Sequence, residues 1–106
     1  MDKIPEFEIT DLVGSTDTYT GTVDSSGIYI PSSPGNIIEE ISIRNAVDQP
    51  IASRLEFSYD GINWFRLLVG ESREDEFRGA IRQIQIRSAG SLSTCKYEII
   101  MNRGQE

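Results

Sequence analysis

A net charge of −7 over 106 residues, with 38% hydrophobic and 25% charged side chains, describes one globular domain with a modest core, not a disordered chain. The chain has no histidine, which excludes histidine triads, imidazole proton shuttles and histidine-built zinc sites. Its acidic balance argues against direct nucleic-acid binding, which needs a basic surface. Nothing approaches the run of about 18 apolar residues that marks a membrane-spanning helix, so no membrane partner is expected. The start, MDKIPEFEIT, has no apolar h-region and no small-residue cleavage site, so no secretory leader is expected either.

In chain order the texture is β. Runs rich in Ile, Val, Thr, Tyr and Phe alternate with clusters of Gly, Pro, Ser and Asp, the pattern of short antiparallel strands. Strands are expected near 6–12, 17–23, 27–31, 37–46, 53–59, 62–69, 80–88 and 95–102. In the first quarter, Thr16, Thr18, Thr20 and Thr22 fall on one polar face opposite Tyr19 and Val23. Such a strand is held mainly by pairing. Residues 1–15 are therefore a candidate extended N-terminal arm reaching another subunit, with an ordinary edge strand as the alternative.

Further on, Ile37, Ile41 and Ile43 share one face of IIEEISIRN, with Ser42 and Arg44 on the other. The charged run 71–78 has no apolar stripe, so it reads as a solvated loop or an edge, not a helix. Ile84 and Ile86 alternate with Gln83, Gln85 and Arg87, while Cys95, Tyr97, Ile99 and Met101 face away from Lys96 and Glu98. Alternation of this kind belongs to antiparallel sheets with one wet face. About eight such strands make a single antiparallel β-sandwich, jelly-roll or Ig-like, over residues 1–106. Cys95, the one cysteine, is expected to be a buried small hydrophobe.

The stretch SYDGINWFRLL, residues 58–68, carries the strongest local signal, an Asp-Gly pair between alternating apolar runs. Two registers are open. A two-residue loop, Asp60-Gly61, pairs Tyr59 with Ile62 and Phe57 with Trp64. A three-residue loop pairs Ser58 with Ile62 and puts Phe57 on the face of Asn63, Phe65 and Leu67. One residue of slip exchanges the buried ring. Trp64 is expected inward, because tryptophan fills volume and its N–H can reach a loop carbonyl. Phe65 is then the exposed contact.

These residues resemble those of small β-sandwich structural proteins of tailed-phage virions. Such proteins show an apolar strand ending in Ser-x-Asp-Gly, an aromatic three residues after the Gly and a following Leu. A polar loop, an Ile-x-Ile-x-Ser strand and a closing Tyr-x-Ile strand come next. The matching elements here are residues 55–67, the loop 70–78, Ile84-Gln85-Ile86-Arg87-Ser88 and Tyr97-Glu98-Ile99. The resemblance covers about residues 37–101. It implies assembly: a virion structural protein at a capsid-decoration, head–tail neck or tail position, located in the virion and assembled in the host cytoplasm. Its partners would be copies of itself and neighbouring virion proteins.

No catalytic residue, cofactor or metal site is expected. Glu71, Glu74, Asp75 and Glu76 lack the ligand spacing of a calcium loop and read as solvated. The interface candidates are Tyr59, Phe65 and Arg66, together with Arg82, Arg87 and Arg103, which with Gln83 and Gln85 form a polar, arginine-bearing face. Residues 1–48 carry nine acids against Lys3 and Arg44, while residues 49–106 carry eight charges of each sign. An acidic first half and arginines in the second suit head-to-tail packing of identical subunits. The alternative reading is a carbohydrate-binding module that stacks sugars on Tyr59, Trp64 or Phe65.

Overall fold

A computed structural model of the chain describes residues 15–104. The expected strand near 6–12 and the arm before residue 15 lie outside the described residues. Eight strands follow: β1 (Ser15–Asp24), β2 (Ile28–Ile30), β3 (Ile38–Asn45), β4 (Arg54–Ser58), β5 (Phe65–Leu68), β6 (Ser72–Glu76), β7 (Ile84–Ser88) and β8 (Thr94–Arg103). They form two four-stranded antiparallel sheets, sheet A in the order β1-β8-β3-β6 and sheet B in the order β2-β7-β4-β5.

That order has a simple origin. β4 pairs with β5, β3 with β6, β2 with β7 and β1 with β8, so the chain is one long hairpin folded at the 58–64 turn. The hairpin then rolls up, which lets β8 also pair with β3, and β7 with β4. This is the nested, double-Greek-key wrapping of a jelly roll, and it decides between the two sandwich types expected from the sequence.

The core lies between the sheets and is the alternating set read from the sequence. From sheet A, Val23, Ile41, Ile43, Cys95, Tyr97, Ile99 and Met101 point inward, and from sheet B Ile30, Leu55, Phe57, Leu67, Ile84 and Ile86 do. Cys95 is buried, as expected. β3 departs from simple alternation. A register shift between Ile38 and Glu40 puts Ile38 in the core, where Ile37 was expected, and leaves Ile37 half-buried. A bulge of this kind adds one residue to one strand and reverses the facing beyond it. The charged run 71–78 contains a true edge strand, β6, paired with β3.

The β4–β5 register is neither of the two expected. Phe57 pairs with Phe65 and Leu55 with Leu67, so Phe65 and Leu67 turn inward and Trp64 turns away from the core. The inward placement of Trp64 is thus corrected, and the turn is longer than Asp60-Gly61 alone. The cause is the Asp60 carboxylate: its Oδ1 accepts from the backbone N–H groups of Ile62 and Asn63, each at 2.8 Å. Residues held in that turn cannot enter the ladder, so pairing starts at Phe57 and Phe65.

Replacing Phe57, fully buried at the centre of sheet B, by alanine is expected to cost ~3–5 kcal/mol in denaturant unfolding. Ile100→Ala, on the outer face of sheet A, is expected to change stability by less than about 0.5 kcal/mol.

Candidate interaction surface

The turn at the apex of the roll is a small network of its own. Asp60 Oδ1 accepts from Ser58 Oγ at 3.1 Å, and Oδ2 from the Asn63 side-chain amide at 2.8 Å. Ser58 Oγ in turn accepts from Gly61 N at 2.8 Å. Gly61 sits at φ +79°, and a Cβ there would lie 3.0 Å from Gln85 Oε1, so glycine fits both the backbone and the space. The Asn63 and Ile62 backbone amides hold the Asp60 carboxyl well below the usual carboxylate range.

Beneath the turn, four aromatics close one end of the sandwich. Phe57 and Phe65 stack with centroids 5.4 Å apart, and Tyr59 meets Phe77 edge-on at 4.7 Å. Arg73 lies over the Phe65 ring at 4.2 Å and pairs with Asp75 at 2.8 Å. Tyr59 donates its hydroxyl to the same Asp75 carboxylate. Burial and that hydrogen bond push the Tyr59 phenol above its ordinary 10.0. Tyr59 and Phe65 are therefore packing residues of this cluster, a correction to their expected role as open contact rings.

Trp64 stands on the other side of sheet B. The Arg87 guanidinium lies 3.7 Å from its ring centroid, within cation–π range. Arg87 also pairs with Glu56 at 2.8 Å, and Glu56 accepts from Arg66 at 2.9 Å. Burial alone would raise the Glu56 carboxyl, but the hydrogen bonds from Arg66 and Arg87 outweigh it and hold the group below its usual value. The row Trp64–Arg87–Glu56–Arg66 thus runs along the outer face of sheet B. The three aromatics Tyr59, Phe65 and Trp64 do not share a platform.

The remaining candidates separate. Arg82 donates to the Gly35 carbonyl at 3.0 Å, and Gln83 to the Pro31 carbonyl at 2.9 Å, so both brace the loop after β2. Arg103 is in sheet A, only 7% exposed, and therefore neither on the sheet B face nor at the surface. Its Nε donates to Asp17 at 2.7 Å and its NH1 to the Asn36 carbonyl at 2.8 Å. The expected arginine face is thus corrected: Arg87 and Arg66 lie on it, with Gln85 on the same side of β7, while Arg103 is an internal tie between β8, β1 and the loop before β3.

At the opposite end the buried Asn45 does the tying, donating to Ser53 O at 3.2 Å and Leu67 O at 2.9 Å. Neither Asn45 nor Glu56 was singled out in the sequence. Glu56 was legible as the outward residue of RLEFS, but its two arginine partners depend on the register.

Sheet A presents a different outer face. Ladder pairing sets Thr18, Ile100, Ser42 and Glu74 in one row across β1, β8, β3 and β6. Glu40 and Glu76 lie beside Asn102 in the next row, around a shallow depression of about 500 Å³ whose lining includes Ile100. On the far side of this row Arg44 pairs with Glu98 at 2.7 Å. Among the described residues no group of His, Cys, Asp and Glu is arranged to hold a metal ion, and no helix is long and apolar enough to cross a membrane.

No family model and no curated protein matches the chain. Among solved structures it is similar to a subunit described as belonging to Bacillus endospore appendages, "a novel family of disulfide-linked pili", with a TM-score of 0.59, 10% identity and coverage of 89% of this chain and 88% of that one. It is also similar to the Yersinia pseudotuberculosis-derived mitogen, at a TM-score of 0.48, 17% identity and coverage of 89% and 90%. At such identities the first likeness speaks for the all-β sandwich fold alone.

Two outcomes follow from these networks. Glu56 has a depressed folded pKa, so its contribution to stability is present above its ordinary 4.5 and lost as pH falls through the folded value. Glu56→Gln is expected to flatten the acid limb of a plot of urea midpoint against pH, measured from about pH 6 to about pH 3. Tyr59 has a raised folded pKa, so its contribution is full below 10.0 and is lost as pH rises beyond it. Tyr59→Phe is expected to remove that alkaline loss.

Proposed function

We propose that this chain is a structural subunit of a tailed-phage virion, at a capsid-decoration, neck or tail position, and that it works by binding its own copies and neighbouring virion proteins. The observation that carries this reading is the contrast between β1 and the other sheet edges. A free edge offers unpaired N–H and C=O groups to any passing strand, and proteins blunt edges with charge, proline or brevity. β6 is charged along its length (SREDE), β2 is three residues long and followed by Pro31, and β5 is four residues long. β1 has ten residues, STDTYTGTVD, and none of these protections beyond Asp17 and Asp24, of which Asp17 is tied to Arg103.

An edge of that length suits addition of a strand from a partner, where main-chain hydrogen bonds supply affinity. The resemblance over residues 37–101 supplies the virion setting. Jelly rolls serve in viral capsids among other places, but fold alone does not fix function. The pilus subunit is a second assembly protein on a similar fold. Its disulfide linkage is not carried over, because Cys95, the chain's one cysteine, is buried.

The expected outcome is a mass above the monomer in sedimentation, or co-assembly with phage capsids or tails. Proline at Thr18 and at Tyr19 samples both directions of the β1 backbone N–H. The variant whose N–H faces outward is expected to keep its unfolding midpoint and lose assembly. A stable monomer that ignores capsids and tails at micromolar concentration would overturn the reading. Glycan binding that vanishes in a folded Trp64→Ala variant would replace it with the carbohydrate-binding one.

A further inference from the structure

The two outer faces of the sandwich carry opposite charge. On the strands of sheet B the outward positions hold Arg54, Arg66 and Arg87 against one carboxylate, Glu56. On the strands of sheet A they hold Asp24, Glu40, Glu74, Glu76 and Glu98 against Arg44 and Lys96. Glu98 is matched by Arg44, and Glu40 accepts from Asn102 at 2.7 Å. Among the described residues Glu74 and Glu76 have no cationic partner. On sheet B, Arg66 shares Glu56 with Arg87, so two guanidinium groups stand on one carboxylate and the excess there is positive.

The shapes correspond as well. The face of sheet B projects Arg66 and the apolar Leu68, which is 44% exposed. The face of sheet A has the depression between Glu40, Glu74 and Glu76, with Ile100 exposed in its lining. A guanidinium on an aliphatic stem fits a carboxylate-rimmed hollow of that kind, burying its stem on the isoleucine and its head between the acids.

We propose that the outer face of sheet B docks on the outer face of sheet A of a second copy of this chain, stacking subunits head to tail. The inference rests on the assembly reading above and adds the partner and the faces. Both surfaces are on every subunit and differ from one another, so the contact is heterologous and propagates into a ring or a filament. Like faces repel, which selects against the two-fold alternative. Sheet B is four strands of three to five residues, a footprint on the order of 300 Å² from strand spacing and rise. That is well below the ~800 Å² per partner of a stable pair. The single contact is therefore weak, sensitive to salt, and effective where copies are already arrayed along the β1 edge.

The test is sedimentation velocity on the full chain at high concentration, in about 20 mM and about 500 mM salt. Wild type is expected to associate reversibly at low salt and to lose this at high salt. R66E and E74K, each alone, are expected to weaken association about tenfold, and an equimolar mixture to regain most of it, because each altered face then meets a complementary one. L68E, on the same face but outside the ion network, is a second variant with the expected behaviour of R66E. Unfolding midpoints confirm that each variant folds. Association that survives R66E, L68E and E74K unchanged, or a mixture that regains nothing, overturns the face-to-face stack. If the chain still joins capsids or tails in that case, the assembly reading stands without it. A wild type that never associates at low salt overturns the stack as well.

Discussion

Everything in this molecule is nested around one pairing, Phe57 with Phe65 across the 58–64 turn. β3 with β6, β2 with β7 and β1 with β8 are successive outer layers of the same long hairpin, so the facing of β4 and β5 decides which rings enter the core that the other strands close over. The side-chain period of a strand is two, and a one-residue slip at the apex would bury Trp64 and expel Phe65 and Leu67. What prevents the slip is one exposed carboxylate. Asp60 gathers the Ile62 and Asn63 amides and the Asn63 side chain, which removes those residues from the ladder. The turn is therefore a device that sets register, and its aromatics divide accordingly: Phe65 inside, Trp64 outside on Arg87.

Beyond the aromatic cluster beneath the turn, buried polar side chains tie both ends of the roll. At one end Arg103 reaches Asp17 on β1 and the Asn36 carbonyl; at the other Asn45 holds the carbonyls of Ser53 and Leu67. Both are buried, and both satisfy backbone carbonyls: Arg103 that of Asn36 in the loop before β3, Asn45 those of Ser53 before β4 and of Leu67 on the edge strand β5. A buried polar group with its hydrogen bonds made fixes geometry in a way that an apolar side chain cannot, at the risk of a large penalty if one partner is lost. Such ties leave the sheet edges and outer faces as the surfaces on which partners act.

The alternating strands were legible because burial on one side leaves a period of two in the residues: Ile84 and Ile86, and Cys95 through Met101, were correctly faced. The parts that were not legible depend on non-local geometry. The bulge between Ile38 and Glu40 is invisible in IIEEISIRN, where the two adjacent isoleucines Ile37 and Ile38 both suit an inward role. β6 has no apolar residue to announce it, and exists because β3 offers an edge to pair with. Arg103 reads as one more surface arginine until β1 and the loop at Asn36 are brought around it. Trp64 was misplaced because size argued for burial while turn chemistry, which won, argued for the opposite face.

Charge asymmetry shows the same limit most clearly. Along the sequence the acids crowd the first 48 residues, which suggested an acidic half meeting the arginines of a charge-balanced half between subunits. Nested pairing lays first-half strands against second-half strands, so opposite charges from the two halves meet within one subunit: Asp17 meets Arg103, and Arg44 meets Glu98. The asymmetry that survives folding runs between sheets, not between halves. β4, β5 and β7 pool their outward arginines around Glu56, while β3 and β6 pool outward glutamates. Apart from the apex pair β4 and β5, which share sheet B, rolling the hairpin sends successive strands to alternate sheets, so a charge pattern that changes from strand to strand in sequence becomes a dipole across the sandwich. A dipole of that kind has a direction, and direction is what head-to-tail assembly requires of a subunit.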